Sequence, residues 1–260
     1  MSNFQERQTI RDSWASESTS PPQTKVIFLL GTIGNLTNDL QTNITRESDV
    51  HDDILQEDFI DSYANLTVKS LMLLKWFSQS CKNVPYVLKT DDDVYINLKN
   101  LHALVTKNKK TNLLMGTLIC GATPIRDPYN KWFSPKYMYG KKRYPNYLSG
   151  TAYLMSRSIT STLYEAALET PVFHMEDIFI TGILAQSIGV RPEDNVGFSY
   201  IKRRATPCLY VQTISSHHLS MGEMKDMYKK VNEKQGKCTP LKKKFLRTYG
   251  PGRCTWVPPK

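Results

Sequence analysis

Long apolar runs are missing from this sequence. No stretch of its 260 residues approaches the roughly 18 apolar residues that a membrane-crossing helix needs. The best run, VIFLL at 26–30, has the length of a strand. The opening MSNFQERQTIRDSW is too polar for a secretory signal. Cysteine is scarce, with five residues and no CxxC or Cys/His spacing, which excludes a structural zinc module. There is no internal repeat and no clear linker, so residues 1–260 read as one domain.

What is present describes a globular chain with a sizeable core: 40% hydrophobic and 22% charged residues. The formal charge is +10 and the pI near 9.3, a balance that favours anionic partners. Much of the excess falls in 225–260, which reads as a solvated basic tail. No RNA- or DNA-binding motif accompanies it, so nucleic acid is the weakest partner reading. Three sequons, at Asn35, Asn43 and Asn65, are dense enough to point to glycosylation in the secretory pathway. Five cysteines allow two disulfides and one free thiol. Cys238 and Cys254 flank a basic stretch and are expected to pair in an oxidising lumen.

Strand-like and helix-like segments alternate. KVIFLLG reads as a buried strand, and 34–45 as an exposed loop. DSYANLTVKSLMLLKWFSQSC places Val68, Leu71, Met72 and Trp76 at helical spacing, and PYVLKTDDDVYIN reads as strand, acidic turn, strand. LKNLHALV sets Leu98, Leu101 and Val105 on a helical face, and LLMGTLI is another strand. Residues 121–150 form a long loop whose aromatic content argues against disorder. TAYLMS then reads as a strand, RSITSTLYEAALET as a helix, and DIFITGILAQSIG as a helix closed by Gly189. CLYVQTI reads as a late strand. The alternation predicts an α/β domain with a largely parallel sheet.

Three places carry chemistry. Asp91, Asp92 and Asp93 repel one another unless a cation, donors or water compensates. At the carboxyl end of an interior strand they lie where α/β sheets bind ligands. Hard oxygens there suit Mg²⁺ or Mn²⁺ together with substrate phosphates, although solvated acidic turns are common. Glu176 and Asp177 precede an apolar helical run, as favourable first-turn acids or as a carboxylate aimed into a cleft. His217 and His218 follow CLYVQTI, and a neutral imidazole can complete a Mn²⁺ site.

Taken in order, RQTIRDSW, HDDILQEDFIDSYANLTVKSLMLLKWF, KTDDDVYIN, RDPYNKWFSP, YPNYLSGTAYLMS, MEDIFITGI and SSHHLSMGEM resemble the blocks of the β1,3-galactosyltransferase and β1,3-N-acetylglucosaminyltransferase family of Golgi enzymes. The resemblance spans nearly the whole chain. It implies the GT-A nucleotide-sugar transferase fold, a Rossmann-like sheet flanked by helices, with a UDP-sugar donor, a glycan acceptor, Mn²⁺ and an inverting mechanism. By motif position, Asp91 and Asp93 with His217 would hold the metal. Asp91, Asp92, Arg7 and Arg11 would lie by the nucleotide. Asp177 would be the general base, with Glu176 the adjacent alternative. Trp132 and Tyr147, and also Tyr144, offer flat faces for an acceptor sugar. Inversion needs no covalent intermediate, and no nucleophile elbow is present.

Two departures stand out. Relatives carry a membrane helix and stem before the first block, whereas here that block begins almost at Met1. The expected location is therefore the lumenal face of the Golgi membrane, through an anchor this chain does not contain. Ala152 also stands where many relatives have glycine. The motifs do not separate galactose from N-acetylglucosamine as the transferred sugar, and an inactive UDP- or glycan-binding relative is a further alternative.

Overall fold

The computed structural model describes residues 2–19, 24–32, 38–108, 110–204, 206–234, 237–241 and 254. Helix α1 (Phe4–Arg11) leads through a 3₁₀ segment (Trp14–Thr19) to β1 (Phe28–Thr32). Then come α2 (Asn38–His51), β2 (Ile54–Ile60), a 3₁₀ turn (Tyr63–Asn65) and α3 (Leu66–Ser80). Strands β3 (Tyr86–Thr90) and β4 (Tyr95–Ile96) bracket the acidic turn, followed by α4 (Leu98–Lys107) and β5 (Leu114–Ile119). A long loop reaches β6 (Tyr147–Ser156), which runs directly into α5 (Arg157–Leu168). The last third holds a π-helical stretch (Ile178–Leu184) continuing into α6 (Ala185–Ser187), then β7 (Glu193–Asp194), α7 (Pro207–Tyr210), β8 (Ser215–Ser216) and α8 (Met221–Lys234).

The mixed α/β class is the one expected, but the sheet is not largely parallel. The principal sheet has the order β3-β6-β5-β7, with β6 antiparallel to both β3 and β5, and β7 parallel to β5. Strands β3 and β5 therefore run the same way with β6 inserted between them. The cause is the connection: β5 reaches β6 through a loop instead of a helical crossover, so no parallel βαβ unit forms there. A parallel unit does form at β1-α2-β2. Strand β4 pairs with β8 in a separate antiparallel ladder.

Strand β6 is central in the physical sense. Its alternation sends Ala152 and Leu154 into one apolar cluster and Tyr153 and Met155 into the other, which Leu148 joins from beyond the register shift in the β5–β6 ladder. A strand buried on both faces reads as a continuous apolar run, as TAYLM does. Each of the larger aliphatic side chains contributes about 1.5–3 kcal/mol by leaving water.

Several sequence expectations change here. Residues 38–45 are helical, because Leu40, Ile44 and Glu47 recur on one face of α2 and Ile44 is fully buried. Among α3 residues, Val68 is exposed, while Thr67, Ser70, Met72, Leu73, Leu74 and Phe77 are buried. This helix packs on both α5 and β1, so its buried surface is wider than one stripe and uses small polar side chains; Thr67 donates to the Phe173 carbonyl. CLYVQTI is a helical turn and not a strand, with Pro207 at its first position, where the lost N–H costs nothing. Residues 225–234 are not a solvated tail: Met224, Met227 and Val231 of α8 enter the first cluster.

The cysteines form Cys120–Cys254 and Cys208–Cys238, leaving Cys81 as the free thiol. The expected Cys238–Cys254 pair is thereby overturned: α8 brings Cys238 back onto α7, at a Cα separation of 5.4 Å from Cys208. Two disulfides suit an oxidising compartment. No helix among the described residues is long and apolar enough to cross a membrane.

Candidate active site

The acidic turn is held by its neighbours. The Asp91 amide donates to the Thr151 carbonyl of β6 (3.1 Å), and Val94 is fully buried beneath. The β4–β8 ladder pairs Tyr95 with Ser216 and Ile96 with Ser215, and the Leu219 amide donates to the Asp93 carbonyl (3.1 Å). Distant segments are thus clamped so that the Asp93 carboxylate meets two imidazoles. Its Oδ2 lies 3.2 Å from His217 Nε2 and 3.5 Å from His218 Nδ1. The carboxylate and the two imidazoles each offer one donor atom, all within 4.8 Å of one another.

His217 Nδ1 lies 2.9 Å from the Tyr200 carbonyl. A carbonyl only accepts, so Nδ1 carries the hydrogen and Nε2 faces Asp93. That is the orientation by which proteins fix a metal-binding imidazole. Burial alone would raise the Asp93 carboxyl, but the His217 bond and the two imidazoles bring it below its ordinary value. Burial likewise would lower His217, and Asp93 raises it overall. His218 sits in left-handed backbone at φ 61°, which turns its ring back over His217 at a centroid distance of 3.8 Å. One carboxylate and two imidazoles form a nitrogen–oxygen donor set that fits Mn²⁺.

The second carboxylate group faces β6. Asp177 Oδ1 accepts from the Ile178 amide (2.8 Å) and Oδ2 from the Gly150 amide (3.2 Å). The residue is half-buried. Burial first, then the neighbouring Glu176 charge, push its pKa up to about 6. Glu176 itself points inward: it is buried, takes a hydrogen bond from the Tyr153 hydroxyl, and lies 3.8 Å from Lys89 Nζ. The π stretch after Asp177 is anchored through Thr181, whose hydroxyl donates to the Asp177 carbonyl (2.6 Å) and accepts from the Leu148 amide (2.8 Å).

Lys89 ties the two halves together. Its ammonium contacts Asp91 Oδ1 (2.5 Å) and the Gly150 carbonyl (2.6 Å). Burial disfavours that charge, but Asp91, Glu176 and Asp177 hold the proton more tightly than on a free lysine. The Asp91 carboxylate is thus directed at Lys89 and is not one of the three groups converging at Asp93.

Residues 5–196 match the sequence model of the family described as Galactosyltransferase. The chain belongs to the galactosyltransferase family. This galactosyltransferase homologue is 34% identical over 236 residues to beta-1,3-galactosyltransferase 1 of Mus musculus and of Homo sapiens, covering 89% of this chain and 71% of each relative. It is 33% identical over 242 residues to beta-1,3-galactosyltransferase 5 of Homo sapiens, covering 91% of this chain and 77% of the relative. A solved glycosyltransferase involved in glycosylation of the major capsid of PBCV-1 overlaps at TM-score 0.38 and 13% identity, over 79% of this chain and 100% of that one, too loosely to carry an argument. Family membership makes the protein a hexosyltransferase.

Asp92 is exposed and accepts from Asn3 at the start of α1 (2.7 Å). One turn further on, Arg7 pairs with Glu47, and Arg11 with Glu47 and Asp53. Tyr147 opens β6, and burial together with the Asp177 charge raises its phenol. Tyr144 is buried and Trp132 is exposed on the loop. Asn43 is exposed on α2; Asn65 donates to the Ile60 carbonyl (2.8 Å); Asn35 lies outside the described residues. Sequence reasoning named His218 beside His217 but assigned the ligand role to His217 alone, and it missed Lys89, Gly150 and Tyr153. Only Lys89 left a signal: a lysine near the end of β3, two residues before Asp91 at the start of the turn, is spaced to share its side.

Proposed function

We propose that this galactosyltransferase moves galactose from UDP-galactose to a glycan hydroxyl in β1,3 linkage, by inverting displacement with Mn²⁺, as one catalytic domain in the Golgi lumen. The observation that supports this reading is the half-buried Asp177 carboxylate, fixed by two backbone amides, one of them from Gly150, whose carbonyl takes the Lys89 ammonium beside Asp91 of the acidic turn. With a pKa of about 6, it is mostly ionised at neutral pH yet basic enough to accept a proton.

The acceptor hydroxyl gives its proton to Asp177 as its oxygen bonds to the anomeric carbon of the donor. The bond from that carbon to the diphosphate oxygen breaks, and the electron pair leaves with UDP. Asp93, His217 and His218 would hold Mn²⁺, which when bound supplies positive charge against the leaving diphosphate. Glu176, occupied by Tyr153, acts on the chemistry by raising Asp177 and not as the base. Arg7 and Arg11, neutralised by Glu47 and Asp53, would shape the nucleotide side without adding free charge, with Asp91 and Asp92 framing the turn. Trp132 and Tyr147 offer faces to the acceptor sugar.

The test is transfer from UDP-galactose and from UDP-N-acetylglucosamine to β-linked acceptors, with Mn²⁺ and with chelator. Galactose transfer abolished by chelator and restored by Mn²⁺ is expected. Preferential transfer of N-acetylglucosamine would overturn the donor assignment, and UDP binding without turnover would overturn the catalytic one.

A further inference from the structure

The loop between β5 and β6 carries a charge pattern that the reaction at Asp177 does not use. From residue 128 to residue 164 the chain has no Asp or Glu, yet Lys131, Lys136, Lys141, Lys142 and Arg143 all fall there and all are exposed. None of these five closes an ion pair among the described residues. Elsewhere, Lys25, Lys75, Lys99, Lys110, Lys202, Lys225 and Lys230 each meet a carboxylate. Like charges packed on one loop repel unless an anion is shared between them.

These cations are presented by an ordered platform. Arg126 is used internally, donating to the carbonyls of Ser134 and Tyr139. Ile125 bridges Phe133, the Ser134 amide donates to the Ile125 carbonyl (2.8 Å), and the Asn130 side chain accepts from the Trp132 amide (2.9 Å). Flat apolar faces alternate with the charges. Tyr129 is 96% exposed and Tyr137 89%, and Lys131 stands over the exposed Trp132 ring at 4.5 Å. The loop also ends at the base. Pro145 and Tyr147 lie where a side chain on Gly182 would touch them, at 3.2 and 3.1 Å, and Gly182 belongs to the π stretch that follows Asp177.

We propose that this loop is an acceptor subsite for an anionic glycan: a chain whose sugar rings lie on the exposed aromatics while a sulfate or carboxylate beside the accepting sugar meets Lys141, Lys142 and Arg143. Aromatic faces suit sugar rings, and cations interleaved with them suit a charged oligosaccharide better than a neutral one. The subsite rests on the acceptor-side reading of Asp177 and Tyr147.

The test compares one neutral acceptor oligosaccharide with two charged forms of it, one sulfated and one bearing a uronic acid, at low and high salt. Oligosaccharide binding is measured in parallel by calorimetry. Both charged forms should show a KM at least ten-fold lower than the neutral one at low salt, and the gap should close at high salt. It should also close in the Lys141→Ser/Lys142→Ser/Arg143→Ser variant. An advantage confined to one charged form names the source of the anion. Equal KM values for all three acceptors at low salt overturn the proposal. So does an advantage that appears only when an acidic peptide carries the neutral glycan. If no acceptor is glycosylated but calorimetry shows the charged forms binding wild type and not the variant, the subsite stands and the catalytic reading falls.

Discussion

Gly150→Ala is the most informative single change, because the methyl group has nowhere to go. An added Cβ would lie 3.2 Å from Asp177 Cβ, 3.3 Å from Glu176 Oε2 and 3.5 Å from Asp177 Oδ2. Carbon–carbon contacts are optimal at about 3.5–4.0 Å, so the neighbours must give by a few tenths of an ångström. Neither is free to do so: Asp177 is held by two amides and Glu176 by Tyr153. Backbone strain does not enter, since Gly150 is not among the glycines in left-handed conformation. Overpacking costs about 1–3 kcal/mol, offset by about 0.4–1 kcal/mol because alanine restricts the unfolded chain. A fall in Tm of a few degrees is therefore expected. Catalysis should suffer more, because a base displaced by a fraction of an ångström costs about 10- to 100-fold in kcat. Donor KM should hold. The Gly150 amide also lowers the Asp177 pKa, so weakening that bond moves the acid limb of the pH–rate profile upward from about pH 6. The assay is kcat and KM against pH with a parallel thermal melt. Unchanged kcat with an unmoved acid limb, in a variant whose Tm has fallen as expected, would refute Asp177 as the base.

Asp177→Asn should cut turnover by about 10²–10⁴-fold with UDP affinity intact, read by steady-state kinetics and calorimetry. The same variant has a stability signature. Folding raises this carboxyl from 3.8 to about 6, so its stabilising protonation is complete below pH 4 and lost as pH rises through 6. Above pH 7 the ionised group costs about 3 kcal/mol, so the variant should melt higher than wild type at pH 8 and gain nothing at pH 4. Equal melts at pH 8 would deny the buried charge. His217→Ala and His218→Ala should each weaken Mn²⁺-dependent UDP binding more than ten-fold, and an unchanged affinity removes that residue from the site. Non-reducing peptide mapping should recover Cys120–Cys254 and Cys208–Cys238. The Cys208→Ser/Cys238→Ser variant should lose about 3–4 kcal/mol, since that bridge closes a separation of 30 residues; a Cys238–Cys254 peptide would contradict the observed pairing.

How much of the site was legible follows from how local each signal is. PYVLKTDDDVYIN declares a strand, a turn and a strand because three consecutive carboxylates interrupt two apolar runs, and β3 and β4 lie there. Gly189 closes the helix as expected, at φ 72°. Helix α2 was hidden because its buried face has few apolar residues and takes the ion pairs of Arg7 and Arg11 on Glu47. The basic end of the chain looked solvated because Met224, Met227 and Val231 are thinly spread among lysines.

The sequence by itself determined the residue types of the chemistry, the α/β class and the family, since these are written in short ordered blocks. Tertiary structure alone decided which of those residues meet. Asp91 turns to Lys89 while Asp93 turns to His217 and His218, because the β4–β8 ladder clamps segments more than a hundred residues apart. Glu176 is drawn inward to Tyr153 while Asp177 is only half-buried, because β6 runs antiparallel between β3 and β5 and sets Gly150 against both carboxylates. No periodicity encodes these pairings: they depend on distances that exist only once the sheet has closed.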